Sequence, residues 1–146
     1  MQPELALGAV SSGGDLVLTD YAAEAPRDEL QLRIEEMTKR ARELEVRLRG
    51  DVPQLDVAGR TVILVDDGIA TSATMLCSIA VARRRAAARV VCAVPVAPAD
   101  YVDQFRANCD EFIVLEASRD WHFAVGRFFA DFSEVTDEEV RALLAG

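Results

Sequence analysis

Between residues 61 and 116, apolar strand-like runs alternate with helix-like stretches, and this alternation restricts the fold more than any other feature of the chain. The order strand–helix–strand–helix–strand is typical of an open parallel sheet with flanking helices. An unbroken apolar run such as Val62–Val65 is typical of a strand that is covered on both faces. The sequence therefore predicts an α/β core with the strands Val62–Val65, Val90–Val96 and Phe112–Leu115 and the helices Ala73–Arg85 and Ala99–Asn108.

Two elements are predicted ahead of this core. The apolar runs Leu5–Val10 and Leu16–Leu18 flank Gly13 and Gly14, which adopt positive φ angles at low cost, so a hairpin is expected within residues 1–20. From residue 26 to residue 50, apolar residues recur every three or four positions, and acidic residues precede basic ones by four. This pattern predicts a long amphipathic helix with a solvated charged face.

The C-terminal segment, residues 117–146, carries a group of aromatic residues and one more helix. Thr136 and Glu139 have the spacing of a capping box, which predicts a helix that runs through Leu144. The chain has 146 residues, of which 51% are hydrophobic and 28% are charged. These values fit a single folded domain over residues 1–146.

Charge and composition argue against several other functions. The net charge of −9 argues against broad binding to nucleic acids or to anionic membranes. The longest uncharged run, Gly68–Ala82, is too short and too polar to span a membrane, and the N-terminus has no signal-peptide pattern.

The three cysteines, Cys77, Cys92 and Cys109, are widely spaced and predict neither a disulfide framework nor a zinc site. We expect a cytoplasmic protein whose thiols pack as small apolar groups.

The segment from residue 62 to residue 74, VILVDDGIATSAT, carries the most chemical information. Asp66 and Asp67 directly follow a strand, and in a parallel sheet ligands bind at the carboxyl ends of the strands. Ionised carboxylates accept hydrogen bonds from sugar hydroxyls or from the waters of a hydrated cation. The loop behind them carries hydroxyls and enters a helix whose free N–H groups suit a phosphate. The segment therefore predicts a sugar-phosphate site, against the simpler interpretation of an Asp-capped α/β turn.

Three other phosphate-binding classes fit the sequence less well. A strand that ends in two acids also occurs in Walker B elements, but those accompany a glycine-rich loop ending in Gly-Lys-Ser/Thr, and Lys39 does not follow a glycine. No strand is followed by Gly-x-Gly-x-x-Gly, which argues against a dinucleotide-binding fold. A phosphoacceptor receiver domain uses a lysine late in the domain, and none follows Lys39.

In this segment the chain resembles a known family. Residues 62–74 resemble the phosphoribosyl-pyrophosphate (PRPP) binding motif of the type I phosphoribosyltransferases. The similarity to a bacterial branch of predicted phosphoribosyltransferases extends over essentially the whole chain. It includes the further segments Pro3–Val10, Gly13–Gly14, Val91–Pro98, Ala124–Gly126, Asp131–Phe132 and Val135–Val140.

The resemblance implies a function and a site. Asp66 and Asp67 would be the catalytic residues that hold the ribose 2′- and 3′-hydroxyls. The 5′-phosphate would be held by the phosphate loop, which consists of Ala70, Thr71, Ser72, Ala73 and Thr74. Magnesium would bridge the pyrophosphate and the ribose hydroxyls, mainly through waters and without direct protein ligands. The implied reaction displaces pyrophosphate at C1 of PRPP by a nitrogen of an unidentified base, with catalysis by positioning and charge stabilisation.

Two departures from the family pattern lead to further expectations. Ser72 stands where the family has glycine, and a strained backbone there would cost about 1–3 kcal/mol. The family also carries an N-terminal strand, a glycine-rich pyrophosphate loop and a helix ahead of the segment that begins at Pro3. We therefore expect an incomplete domain with an open edge beside Val62–Val65, which self-associates as a homo-oligomer or aggregate and has negligible transferase activity.

Several residues outside the motif are weaker candidates. Trp121 and Phe123 would stack on the base, although packing beneath the C-terminal segment is the simpler role. His122 is the only histidine and has no evident fixed partner. Arg83–Arg85 are expected to complement the dipole at the end of their helix. Three cations of the long helix are candidates to reach the pyrophosphate: Lys39, Arg40 and Arg42.

Two alternatives to an active transferase stay open. A binding module would keep the phosphate loop and would sense PRPP or a nucleotide without turnover. An inactive remnant would fail to complete its sheet and would be poorly folded. Saturable binding without pyrophosphate release favours the first alternative, and a molten state that binds the dye ANS favours the second.

Overall fold

The computed structural model of the protein describes residues 7–120 and 122–145. Residues 1–6, which include the start of the predicted strand Leu5–Val10, and Trp121 lie outside the described residues. In chain order the helices and strands are β1 (Gly8–Val10), β2 (Leu16–Leu18), α1 (Arg27–Arg49), β3 (Thr61–Val65), α2 (Ala73–Arg84), β4 (Arg89–Pro98), α3 (Val102–Asn108), β5 (Glu111–Ser118) and α4 (Asp137–Ala145). Short 3-10 turns cover Asp20–Glu24, Ala99–Tyr101 and Val125–Phe128.

The core is a parallel sheet in which β3, β4 and β5 follow one another in that order. Cys92 in the central strand lies level with Leu64 on one side and with Phe112 on the other. Because side chains alternate along a strand, these three residues share one face, and that face packs against α2 and α3. Phe105 of α3 is fully buried there and stacks on Phe112 with 5.0 Å between the ring centroids. The predicted parallel α/β fold is confirmed.

The opposite face of the sheet is apolar and exposed. Ile63, Val65, Ile113 and Leu115 are 63%, 75%, 43% and 81% exposed. Within the described parts of the chain, β3 has β4 as its one neighbouring strand. The expectation that Val62–Val65 is covered on both faces is therefore wrong for the described residues. The physical reason is the topology, since two right-handed crossovers that advance in the same direction place both helices on the same face.

β1 and β2 form the predicted antiparallel hairpin, with Ala9 opposite Val17. The Ser11 N–H donates to the Asp15 carbonyl at 2.8 Å to close the turn. The Asp15 carboxylate then accepts hydrogen bonds from the Ser11 hydroxyl at 2.7 Å and from the Arg84 guanidinium at 2.5 Å. Since Arg84 is the last residue of α2, this ion pair fixes the hairpin to the C-terminal end of that helix.

α1 is a long surface helix, and none of its 23 residues, all of them described, is buried. Gly50 ends it with a φ of +55°, a conformation that favours glycine. Arg47 reaches Asp137 of α4 at 2.6 Å and joins the two helices. Three of the acid–base pairs spaced by four residues form along its surface: Glu29–Arg33, Glu36–Arg40 and Glu45–Arg49.

α4 begins at a capping box, as its sequence predicts. The Thr136 N–H and the Thr136 hydroxyl both donate to Oε2 of Glu139 at 2.8 Å. In return, the Glu139 N–H donates to the Thr136 hydroxyl oxygen at 3.3 Å. These bonds favour the ionised carboxylate and lower the pKa of Glu139.

Cys77, Cys92 and Cys109 are buried free thiols. Burial raises the pKa of Cys92 to about 12, so this thiol is protonated at neutral pH. In the part of the chain that the structure describes, no helix combines the length and the apolar character needed to cross a bilayer.

Candidate functional site

Asp66 and Asp67 follow the last residue of β3, at the carboxyl edge of the sheet. Both residues are exposed, and Oδ1 of Asp66 accepts a hydrogen bond from the Asp67 N–H at 3.0 Å. Partial desolvation of the carboxyl group raises the pKa of Asp66, and the adjacent Asp67 charge acts in the same direction. The end of one strand therefore holds two adjacent, accessible hydrogen-bond acceptors.

Gly68 and Ile69, both buried, anchor the loop beneath these carboxylates. Ile69 donates its N–H to the carbonyl of Val96 on β4 at 3.0 Å. A Cβ atom on Gly68 would lie 2.7 Å from Cγ1 of Val125 and 2.8 Å from Cγ1 of Val96, which is closer than real Cβ atoms come to their neighbours. Glycine is therefore required at residue 68, where the loop rests on β4 and on the turn Val125–Phe128.

The five predicted phosphate-loop residues lie at the start of α2. The first backbone bond of the helix runs from the Leu76 N–H to the Ser72 carbonyl at 3.0 Å. The N–H groups that precede Leu76 have no carbonyl partner within the helix and lie at the positive end of its dipole. The side chains differ in exposure: Ala70 and Thr74 are exposed, Thr71 and Ser72 are half-buried, and Ala73 is buried. The side chain of Ala73 is therefore not available to a ligand.

Ser72 has an ordinary backbone conformation. Its φ is −72° and its ψ is −21°, within the right-handed helical region that any residue adopts. The expectation that a serine at this position is strained is therefore wrong. The reason is that α2 begins at the next residue, so Ser72 already follows the helical path.

We expect Ser72→Gly to change the affinity for inorganic phosphate by less than about twofold, because there is no strain to release and glycine replaces serine at a helix N-cap with little loss. Isothermal titration of both proteins measures this. Ser72→Ala is the control that separates loss of the hydroxyl from added backbone freedom. A gain of about fivefold or more in Ser72→Gly, equivalent to about 1 kcal/mol, would show instead that the side chain crowds the anion.

The described aromatic residues that were predicted near the base contact neighbours in their own C-terminal segment. Trp121 lies outside the described residues, and its role in base stacking stays a prediction. Phe123 is half-buried and packs against Phe128 with 5.6 Å between the ring centroids. His122 is exposed, and its backbone N–H donates to the Asp120 carboxylate at 2.9 Å. Phe123 thus has a packing partner in its own segment, and its contact with a base also stays a prediction.

The arginines at the C-terminal end of α2 lie at the negative end of the helix dipole, and they also bind residues in other parts of the chain. Arg83 forms an ion pair with Asp110 at 2.8 Å, and this pair supports the turn between α3 and β5. Arg85 donates to the Leu55 carbonyl in the connector before β3. Together with the Arg84–Asp15 pair, these contacts give all three arginines structural roles.

A groove of about 1080 Å³ opens beside the phosphate loop, between α1 and the hairpin. We call it the α1–hairpin groove. Ala70, Thr71 and Thr74 of the phosphate loop lie along it. Its walls are largely aliphatic and include Val10, Leu16 and Leu18 of the hairpin and Leu30, Ile34 and Met37 of α1. The groove thus shares residues with the phosphate loop, and Asp66 and Asp67 are not among its lining residues.

Among the candidate cations of α1, Arg40 lines this groove. Lys39 instead approaches Glu43 at 3.9 Å, and Arg42 donates to the Ser12 carbonyl at 2.9 Å. Arg33, which is not among the cations predicted to reach the pyrophosphate, also lines the groove. The available signal was the recurrence of arginine every seven residues beside the apolar stripe, at 33, 40 and 47.

Asp66 and Asp67 fit a hydrated magnesium ion. Carboxylate oxygens are the hard ligands that Mg²⁺ prefers, and this ion commonly keeps several waters while binding one or two carboxylates and substrate phosphates. Across residues 7–120 and 122–145, no group of three or more His, Cys, Asp and Glu side chains is placed to hold a metal ion. The magnesium ion that the resemblance implies therefore stays a prediction.

The parallel sheet with its flanking helices and antiparallel hairpin is an α/β fold of the phosphoribosyltransferase-like class. The protein is similar to the crystal structure of TT1426 from Thermus thermophilus, with a TM-score of 0.77 and 41% sequence identity over 97% of this chain and 68% of that chain. The chain belongs to the same family as TT1426.

Two curated relatives carry names that describe a reaction. Both are Mycobacterium tuberculosis proteins named putative phosphoribosyl transferase, one from strain CDC 1551 / Oshkosh and one from strain H37Rv. Each is 37% identical over an alignment 150 positions long, which covers 98% of this chain and 33% of the relative. The chain thus spans about one third of the length of these relatives. No family model matches it.

Proposed function

We propose that this chain binds the ribose 5-phosphate part of PRPP, and that it belongs to an enzyme that transfers the phosphoribosyl group to a nitrogenous base with release of pyrophosphate. One observation carries the proposal: β3 ends in two exposed carboxylates, and a loop with hydroxyls leads from them into the start of α2. The names of the two M. tuberculosis relatives support the same class of reaction.

Each part of the loop has a distinct role in this proposal. Asp66 and Asp67 accept hydrogen bonds from the 2′- and 3′-hydroxyls and so fix the orientation of C1. The N–H groups at the start of α2 and the Thr71 and Thr74 hydroxyls donate to the 5′-phosphate. Gly68 keeps the two subsites at a fixed separation. As the bond from C1 to pyrophosphate breaks, the negative charges of the carboxylates stabilise the positive charge that develops on the ribose.

Mg²⁺, when bound, would neutralise negative charge on the pyrophosphate. Asp66 and Asp67 would hold it through its waters. The contribution of this chain is then to place the sugar, since fixed orientation of the reacting groups removes much of the entropic barrier to transfer.

We expect Asp67→Asn to weaken ribose 5-phosphate binding by about tenfold, equivalent to about 1.4 kcal/mol, because the amide has fewer acceptor sites for a sugar hydroxyl. Inorganic phosphate, which lacks the sugar, should lose less than about twofold. Isothermal titration of both ligands is the measurement, and Asp103→Asn, an equal charge change at an exposed residue of α3, is the control.

Absence of binding by ribose 5-phosphate, PRPP and AMP to well-folded protein would contradict the proposed site. Pyrophosphate release from PRPP with a panel of purine and pyrimidine bases separates a transferase from a binding module. Saturable PRPP binding without release would support the binding module.

The raised pKa of Asp66 predicts a pH effect on sugar binding. As pH falls through this pKa, which lies above the ordinary value of 3.8, the carboxylate gains a proton and loses acceptor capacity, so affinity for ribose 5-phosphate falls. The effect of the same group on folding has the opposite sign. The contribution of Asp66 to the stability of the folded state is present below pH 3.8 and is lost as the pH rises through the pKa that Asp66 has in the folded protein.

The measurement for this prediction is the ribose 5-phosphate affinity as a function of pH, compared with that of Asp66→Asn. The ratio of the two affinities removes the contribution of the phosphate's own second ionisation near pH 6. A ratio that stays constant across the acidic range would show that Asp66 does not contact the sugar.

A further inference from the structure

The edge of β3 that faces away from β4 presents backbone groups to solvent. The Arg60 carbonyl accepts a hydrogen bond from the Ala88 N–H at 2.9 Å, next to the start of β4, and so faces that strand. Backbone groups alternate between the two sides of a strand. The N–H and C=O groups of Thr61, Ile63 and Val65 therefore face the other edge, where no strand pairs among the described residues.

Both faces of the sheet offer apolar surface along this edge. Ile63 and Val65 lie on the exposed face. On the face that carries α2, Val62 and Leu64 line a second groove of about 240 Å³. A strand added beside β3 would therefore find apolar side chains on both of its faces as well as partners for its backbone.

β3 is flanked by opposite charges that have no partner in the chain. Arg60 immediately precedes the strand and Asp66 immediately follows it. Both residues are exposed, and within residues 7–120 and 122–145 neither side chain forms an ion pair. Partial desolvation raises the pKa of Asp66, and no described cation offsets this effect. Antiparallel strands bring the start of one beside the end of the other, so a second copy of β3 would place unlike charges together.

We propose that two copies of the chain pair antiparallel through this edge, with Ile63 of one copy opposite Ile63 of the other, so that each copy's Arg60 lies beside the other copy's Asp66. In this register Thr61 lies opposite Val65 of the second copy. The three residues whose backbone groups face the edge then form about six hydrogen bonds, two at each pair. A shift by two residues in either direction would lose some of these bonds and would separate the opposite charges.

The pairing joins the two candidate sites to one interface. Residues directly opposite each other in an antiparallel pair share a face, so Val62 of one copy meets Leu64 of the other beside the second groove. Arg60 and Asp66 would form a non-hydrogen-bonded pair, in which opposite side chains lie close together. The second copy thus supplies a guanidinium to the end of β3, where the carboxylates of the candidate site lie.

Ile63→Cys tests the register directly. Opposite residues of a hydrogen-bonded pair have Cα atoms about 5.5 Å apart, a separation that a disulfide spans. We expect oxidised glutathione to convert most of this variant to a disulfide-linked dimer, seen by non-reducing gel electrophoresis. Ile113→Cys makes the same change on the same face, in β5, and should stay a monomer on the gel. The chain's own cysteines are buried.

Charge reversal tests the pairing without a crosslink. Arg60→Glu places like charges together at both ends of the interface and should weaken association at least about tenfold in sedimentation velocity. Arg60→Glu/Asp66→Arg restores unlike charges in the opposite order and should recover association to within about threefold of the parent chain. Arg141→Glu, at an exposed residue of α4, is the control and should change association by less than about twofold.

Several outcomes would overturn the inference. A parent chain that stays monomeric at every concentration would exclude the pairing. Equal crosslinking at residues 63 and 113 would show that the copies associate through the sheet face instead. Equal effects of Arg60→Glu and Arg141→Glu, or no recovery in Arg60→Glu/Asp66→Arg, would show that Arg60 and Asp66 do not meet across the interface.

Discussion

Gly68→Ala should weaken ribose 5-phosphate binding by at least about tenfold, although residue 68 does not itself contact the sugar in the proposed complex. The added Cβ would lie 2.7–2.9 Å from both Cγ atoms of Val125 and 2.8 Å from Cγ1 of Val96. Both valines are buried, and β-branched side chains have little rotational freedom to move aside. Overpacking of this kind costs about 1–3 kcal/mol, which displacement of the loop would relieve.

Gly126→Ala is a matched control for this substitution. Its Cβ would approach the Phe132 ring at 2.9 Å, but Phe132 is half-exposed and can turn away. We expect its binding to stay within about threefold of the parent chain. The double variant Gly68→Ala/Val125→Ala restores space on one side and should recover part of the affinity. Parent-like binding by Gly68→Ala alone would show that the loop tolerates the displacement.

The second large effect is on self-association. Ile63, Val65, Ile113 and Leu115 form one exposed apolar face, and each would contribute about 1.5–3 kcal/mol if fully buried. Among the residues that the structure describes, no strand pairs with the edge of β3 away from β4, and this edge adds backbone donors and acceptors to the same region. We therefore expect the 146-residue chain to associate as its concentration rises, through this face and this edge.

Val65→Lys/Leu115→Glu should weaken this association by at least about tenfold while preserving the net charge. The matched control is Val46→Lys/Leu143→Glu, which makes the same chemical change at exposed residues of α1 and α4. Light scattering and sedimentation velocity over a range of concentrations measure the effect. A chain that stays monomeric at every concentration, or an equal effect in both variants, would contradict the prediction.

The sheet and the start of α2 could be predicted because their signals are local, and phosphate binding by the loop between them stays a prediction. β-Branched runs mark β3 and β4, and Thr136 with Glu139 marks the start of α4 within four residues. The motif from residue 62 to residue 74 is contiguous, so its order along the chain already describes the order of its chemical groups.

Features that depend on distant parts of the chain could not be predicted in the same way. An apolar run such as Val62–Val65 has the same pattern whether one or two of its faces are covered. The pairing of Arg47 with Asp137 joins helices that are far apart in the sequence. The α1–hairpin groove combines side chains from three segments, and periodicity within one helix does not show what lies opposite it.

The predicted phosphate loop and the residues that line the α1–hairpin groove lie in different parts of the chain, and this separation has an evolutionary consequence. The predicted sugar-phosphate loop and the strand before it lie between residues 61 and 74, whereas the groove walls come almost entirely from residues 7 to 44. The direct supports of the loop, Val96 and Val125, are not among the residues that line the groove. Substitutions in the groove walls can therefore accumulate in a lineage without replacing the residues that directly support the loop.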